Sequence, residues 1–334
     1  MCYHCCRNRS MINGGEFSRP PFSPRPTRLP ELCYKCFDEQ CVYNIIQCAF
    51  IIGIAADVIV IWRVIVDRKL RNETFVAISC LALCDALFLS MNIVSVFSQL
   101  AQMAFCVRGT MVTNTMAWAL FQGITWFAAA SHVSLISLVR FTILTYPLKY
   151  KRWVTTKRII IVSGILWLLG GFIFGVIEII QMSTGVRVSD NLALLLTLWC
   201  IVYGVPVVTT LIAHVAKVYN VRKTTRDSGA LSDMSETAHM QRQMLIMILV
   251  VIVLATILPM PRLVQQIMRS SGNTFSTTVS VHQVGISYSL YLMNFAINPF
   301  VYAFMSVAFR QSLKQICRRR SGWVGDVSYN SRSA

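Results

Sequence analysis

The stretch NFAINPFVY, Asn294 to Tyr302, sets two asparagines and a proline inside a largely apolar run from 279 to 305. A run of that length is long enough to cross a hydrocarbon core of roughly 30 Å as a helix. Polar residues inside such a helix are expensive and mark function by default, and a proline removes a backbone hydrogen bond and kinks the axis. Working outward, six more windows of this kind occupy 42–66, 74–98, 111–145, 159–180, 192–216 and 244–268. Composition agrees. Of the 334 residues 55% are hydrophobic and 13% charged, and the mean hydropathy of +0.57 is too high for a water-soluble domain. The fold expected is an all-α membrane protein: a seven-transmembrane helix bundle at 42–305, with a short C-terminal amphipathic helix at 306–317 on the membrane surface.

The net charge of +17 raises the question of a nucleic-acid partner, and its distribution answers it. Of the 31 Lys and Arg, 21 fall at the helix ends, loops and tail that alternate on one side, and ten on the other, six of these before the first helix. This is the positive-inside pattern. It implies a multi-pass plasma-membrane protein with residues 1–41 outside and the 318–334 tail in the cytosol, its charge serving the lipid bilayer and not nucleic acid. The first 41 residues are polar and contain no apolar signal-peptide core, so they are expected to remain as an extracellular tail.

Six of the twelve cysteines, Cys2, Cys5, Cys6, Cys33, Cys36 and Cys41, precede the first helix. CYHC and CYKC resemble zinc-ligand half-sites, but an extracellular tail favours disulfides, with unpaired or lipid-modified thiols as further alternatives; no metal centre is expected. Asn8, in NRS, is a glycosylation sequon on the outer side, whereas Asn72, in NET, falls in a cytosolic loop. Cys48, Cys80 and Cys84 read as small packed residues. Cys317 follows the amphipathic stretch and precedes RRR, a position suited to palmitoylation.

Inside the helices stand Asp57, Asp85 within LALCD, and Arg140 at the end of the third window, while Pro206, Pro259 and Pro261 interrupt the fifth and sixth. Taken together, residues 42–317 resemble the rhodopsin-like, class A G-protein-coupled receptors. LALCD is similar to that family's second-helix pattern, Trp167 to its fourth-helix tryptophan, Pro206 and Pro259 to its fifth- and sixth-helix prolines, and NPFVY to its NPxxY. AFMSVAFRQSLKQIC resembles the helix lying on the inner leaflet, with Phe309 as apolar anchor.

The resemblance implies a non-enzymatic receptor with no cofactor. Its implied partners are an extracellular ligand, a heterotrimeric G protein, and arrestin and receptor kinase acting on sites such as Ser228, Ser232, Ser235, Thr237, Ser328, Ser331 and Ser333. It gives Arg140 the role of a G-protein contact, beside the plainer reading of a guanidinium that snorkels to the cytosolic surface. Asn298, Pro299, Tyr302, His214 and His239 join Arg140 in coupling and activation. Val139 replaces the acid that normally restrains the arginine, and His239 stands where many members carry a second acid. Raised basal signalling is therefore expected. Asp57, Asp85, Asn294 and Asn298 match a buried polar network. The match is incomplete at Ala129, Ile257 (the toggle-tryptophan position) and Phe295, and two carboxylates suggest a shared proton more readily than a sodium ion.

A ligand pocket is expected to open outward among the third, fifth, sixth and seventh helices. Leu292 stands where a retinal-binding lysine would, and Gln122 where an amine-binding aspartate would. The ligand candidates are Gln122, Trp126, Glu178, Arg262, Gln265, Gln283, Tyr288 and Tyr291. This mixture suits a peptide, with small molecules or lipids as alternatives, and the tail after NPFVY also resembles that of neuropeptide receptors. The family's third-helix cysteine falls at Thr115, which leaves Cys106 or Cys200 to pair with the tail. Two other functions stay open: a receptor-like protein that does not couple, and a proton or cation transporter using Asp57 and Asp85.

Overall fold

The computed structural model describes residues 43–105, 116–146, 149–185, 191–227, 246, 249–251, 253–271, 277–306 and 309–313. Asn8, the tail cysteines, Cys106, Thr115, His239, Cys317 and the loop and tail phosphorylation candidates lie outside the described residues. Every element among the described residues is helical.

Six helices have the length and apolar character to cross a membrane: Tyr43–Val66, Glu73–Ala101, Met116–Ile143, Thr156–Thr184, Leu192–Ala216 and Leu249–Ser270. The seventh span is built from Thr277–Ala296 and Asn298–Met305. It is more polar, and it packs against the first, second and sixth spans. The third span touches the second, fourth and fifth, which makes it the axis of the bundle. The fourth span presents Leu168 and Phe172, 76% and 70% exposed, away from its neighbours. Side chains this apolar belong against lipid tails.

Local sequence sets the helix ends. Thr155 caps the fourth span by accepting from the Arg158 amide, and Gly185, at φ +67°, ends it in the left-handed conformation a glycine adopts without strain. These caps extend the span by a few residues beyond the predicted 159–180. In the fifth span Cys200–Gly204 forms a π turn just before Pro206. The proline lacks an N–H, so the turn ahead of it widens. The sixth span breaks at Leu258–Pro259 and restarts at Met260, and the seventh breaks at Ile297 and restarts at Asn298. Pro206 and Pro259 thus stand at interruptions as expected, whereas Pro261 falls in the first turn of the restarted helix and makes no break of its own.

Two close approaches depend on glycine. A Cβ at Gly53 would come within 2.7 Å of the Ala296 Cβ, and one at Gly123 within 2.2 Å of the Phe174 ring. Small residues of this kind let membrane helices pack backbone to backbone.

After the seventh span, Phe309 is 2% exposed and belongs to the bundle core. This corrects its expected role as an anchor in the inner leaflet. Beside it, Arg63 donates to the Ser312 carbonyl at 3.0 Å and to Asp67 Oδ2 at 3.2 Å, and the Ser312 hydroxyl donates to Asp67 at 2.6 Å. The first span and the segment after the seventh are therefore fastened by a buried ion pair and a serine, a junction that sequence reading did not anticipate.

Candidate functional site

A cavity of about 270 Å³ opens among the second, third, fifth, sixth and seventh spans. Of the eight ligand candidates, Gln122, Trp126, Arg262, Tyr288 and Tyr291 line it. Gln265 lies just behind the wall, accepting from Arg262 Nη1 at 2.6 Å and from the Ser287 hydroxyl at 2.9 Å. Glu178 and Gln283 do not line the cavity: Glu178 is half-buried on the outer half of the fourth span, and Gln283 is exposed. Helical rotation, which residue type does not reveal, separates them from the other six.

Residues absent from the expected set complete the wall, as Trp199 and Gln266 do, or brace its residues from outside it, as Asn92 does. Asn92 accepts from Gln122 Nε2 at 3.0 Å and also from the Tyr288 hydroxyl, tying the second, third and seventh spans together. Trp199 donates its indole N–H to Gln266 at 2.8 Å and stacks on Tyr203 with centroids 5.0 Å apart. Trp126 meets Trp199 edge-on at 5.2 Å and reaches Tyr291 at 6.5 Å. Asn92 is the residue the sequence could have offered, since an asparagine in an apolar run needs a partner.

Ile257 is 62% exposed and faces away from the bundle. The position expected to hold a toggle tryptophan thus contributes nothing to the core. The aromatic floor beneath the cavity comes instead from Trp126, Tyr291 and Phe295, with Phe88 lying 4.2 Å from Phe295.

Deeper in the bundle, Asp85 accepts from Asn298 Nδ2 at 2.7 Å. Asp57 is completely buried and close enough to Asp85 for direct electrostatic interaction. Neither Asp57 oxygen has a hydrogen-bond partner among the described residues. Asn294, 8% exposed, lines with Asp85 and Asn298 a second cavity of about 30 Å³, enough for a water molecule. Three of the four expected network members share one cavity, and Asp57 stands beside it.

His132, unmarked by the sequence reading, is fully buried between the second and fourth spans. One ring nitrogen lies 2.6 Å from the Ala128 carbonyl, which can only accept, so Nδ1 carries the proton. Nε2 therefore accepts from the Ser163 hydroxyl at 2.8 Å. The third and fifth spans are joined below this by Ser134, which donates to the Pro206 carbonyl at 2.8 Å and accepts from Thr210 at 3.1 Å.

Near the C-terminal end of the third span Arg140 is 8% exposed and does not snorkel into solvent as the plainer reading expected. Its charge lies beside Tyr302, whose hydroxyl is within electrostatic reach of Asp57 and Asp85 as well. Tyr302 thus lies within electrostatic reach of both the carboxylate pair and the arginine. Val139 is buried in the apolar core, and His214 is half-buried on the fifth span. Cys200 is an exposed free thiol, so it does not fasten the tail.

An outward cavity, a polar middle and a buried arginine at the opposite end of one helical bundle define a multi-pass membrane protein of the receptor type. The chain matches the family described as 7 transmembrane receptor (rhodopsin family) over residues 56–302, and it belongs to that family. It is also 24% identical over 140 residues to Dopamine receptor 1 of Drosophila melanogaster. That match spans 42% of this chain and 26% of the relative, about a quarter of its length.

Proposed function

We propose that the chain is a G-protein-coupled receptor of the plasma membrane, with its N-terminus outside, passing occupancy of the outward cavity to a heterotrimeric G protein. The observation that carries this reading is Tyr302, which is within electrostatic reach of the buried carboxylates and of Arg140 and so couples the middle of the bundle to the arginine's end. In this reading ligand binding favours a state in which the sixth span swings outward at Pro259 and Arg140 meets the G protein. Moving such an equilibrium from about 1:99 to 99:1 takes roughly 5.5 kcal/mol of differential affinity. A peptide is the proposed ligand, and arrestin and a receptor kinase the proposed regulators. The relative's amine is not carried over, because the cavity presents Gln122 and Arg262 and no carboxylate among its described lining residues.

The test is a cell assay of G-protein dissociation across a peptide and small-molecule library. Arg140→Ala should abolish every response at unchanged surface expression; full responses in that variant would overturn the reading. The outward-facing Ile257 favours a second reading, a receptor-like protein that binds without coupling, and binding with no dissociation for any ligand would establish it.

For the polar middle, we propose one proton shared by Asp57 and Asp85. Two carboxylates side by side in a dry interior repel each other, and a shared proton removes one charge. Infrared difference spectra should show a protonated carboxyl band that Asp57→Asn abolishes. Agonist affinity that depends strongly on sodium and is untouched by Asp57→Asn would refute the proposal.

A further inference from the structure

The outer cavity carries one formal charge that nothing in its wall balances. Arg262 projects into it from the sixth span, and the other lining residues are neutral: Gln122 and Gln266 supply amides, Trp126, Trp199, Tyr288 and Tyr291 the aromatic surface. Among the described residues the guanidinium makes one hydrogen bond, to the neutral Gln265 amide oxygen, and lies 5.0 Å over the Tyr288 ring. A guanidinium has five N–H donors in a planar fork. Most of them are left for an occupant of the cavity. Arg269, further out on the same helix, adds a second positive charge within electrostatic range. The described carboxylates lie elsewhere: Asp85 is deeper and held by Asn298, and Glu178 is not in the wall.

Arg262 is half-buried, and a guanidinium drawn partly out of water is costly unless something compensates it. Resting on the receptor reading above, we infer that the cavity takes a carboxylate borne on an aromatic body: the acid forks onto Arg262, and the ring lies against Trp126, Trp199 and Tyr291. The Arg262–carboxylate pair is bidentate in geometry, which a protonated amine cannot supply and a neutral amide only imitates. The cavity, about 270 Å³, lies just under the ~300–1,000 Å³ of drug-sized ligand pockets. It has room for one aromatic ring and its acid, which comes either from a small aromatic acid or from the free C-terminus of a peptide ending in an aromatic residue.

The experiment measures binding directly, by ligand-induced thermal stabilisation of the purified full-length receptor in lipid nanodiscs, with G-protein dissociation recorded separately. The probes are matched pairs: indole-3-acetate against indole-3-acetamide, 4-hydroxyphenylacetate against its amide, and tetrapeptides ending in Phe or Trp with free or amidated C-termini. At least one acid is expected to bind about tenfold or more tightly than its amide, the difference a charged hydrogen-bonded pair makes. Arg262→Gln should erase that preference and Arg262→Lys retain part of it, since an ammonium keeps the charge without the fork. Preference confined to the small acids, or to the free peptides, assigns the source of the carboxylate. The inference is overturned if no acid exceeds its amide in the wild type, a comparison that needs no variant to fold, or if the preference survives Arg262→Gln. Acid binding without G-protein dissociation would leave the cavity's ligand class standing, and the coupling reading falls only if no ligand of the library gives dissociation.

Discussion

Val139→Asp is expected to lower unstimulated G-protein signalling by about tenfold or more, the change a charge-assisted hydrogen bond brings to a two-state equilibrium. Val139 and Arg140 are 5% and 8% exposed. A carboxylate introduced there is carried into an apolar environment with the guanidinium as its nearest compensating charge. Pairing with Arg140 relieves the new carboxylate's burial, and it does so only while the arginine stays inside the bundle, the arrangement assigned to the resting state. Val139→Asn supplies a side chain of similar shape without the charge, so it should leave basal output near that of the wild type. Second-messenger output at matched surface expression is the measurement. Equal or higher output from Val139→Asp would show that the arginine is not what holds the resting state.

The second large effect is structural. Arg63→Ala is expected to destabilise the receptor by about 3 kcal/mol, because it leaves the Asp67 carboxylate and the Ser312 hydroxyl without their cation in a protected site. The Arg63 and Asp67 side chains are 8% and 14% exposed, so water does little to screen the pair. The thermal midpoint of the purified receptor should fall by several degrees. A spin-label pair on the first span and on the 309–313 segment should change from one distance to a broad distribution. Ser312→Ala removes only one hydroxyl and should cost about 1 kcal/mol. A thermal midpoint unchanged in Arg63→Ala would mean that the junction contributes nothing to holding this segment against the bundle.

Both effects bear on how far the chain could be read before its structure was known. The membrane-spanning runs were legible because a helix in lipid must satisfy its own backbone and present apolar side chains over a fixed length, and such runs survive as plain strings of Ile, Val, Leu and Phe. Two breaks were legible because proline acts locally: Pro206 and Pro259 each mark an interruption, while Pro261 sits in a helix's first turn, where a missing N–H costs nothing. The polar middle was legible in part, because Asp85, Asn294 and Asn298 are costly in lipid and were singled out for that reason. Their common cavity agrees with it.

Contact between distant segments was not legible. Arg63 and Ser312 lie 249 residues apart, and nothing near either one marks the other. His132 read as part of an apolar helix until Ser163, on the next span, was seen to complete its hydrogen bonds. Glu178 and Gln283 looked as suitable for a ligand as Arg262, and Ile257 looked like a core position. Their helices are rotated so that these three side chains miss the cavity.

The sequence by itself therefore determined that this is a helical membrane protein, where its helices run and bend, and which polar residues had to be accounted for, since each follows from short-range chemistry within one span. The tertiary structure alone decided which of those residues meet. It brought Tyr302 within electrostatic reach of Asp57, Asp85 and Arg140, turned Ile257 outward, and left Arg262 facing a neutral aromatic cavity. Rotation and depth of a helix are fixed by its packing against other helices, and no single span carries that information.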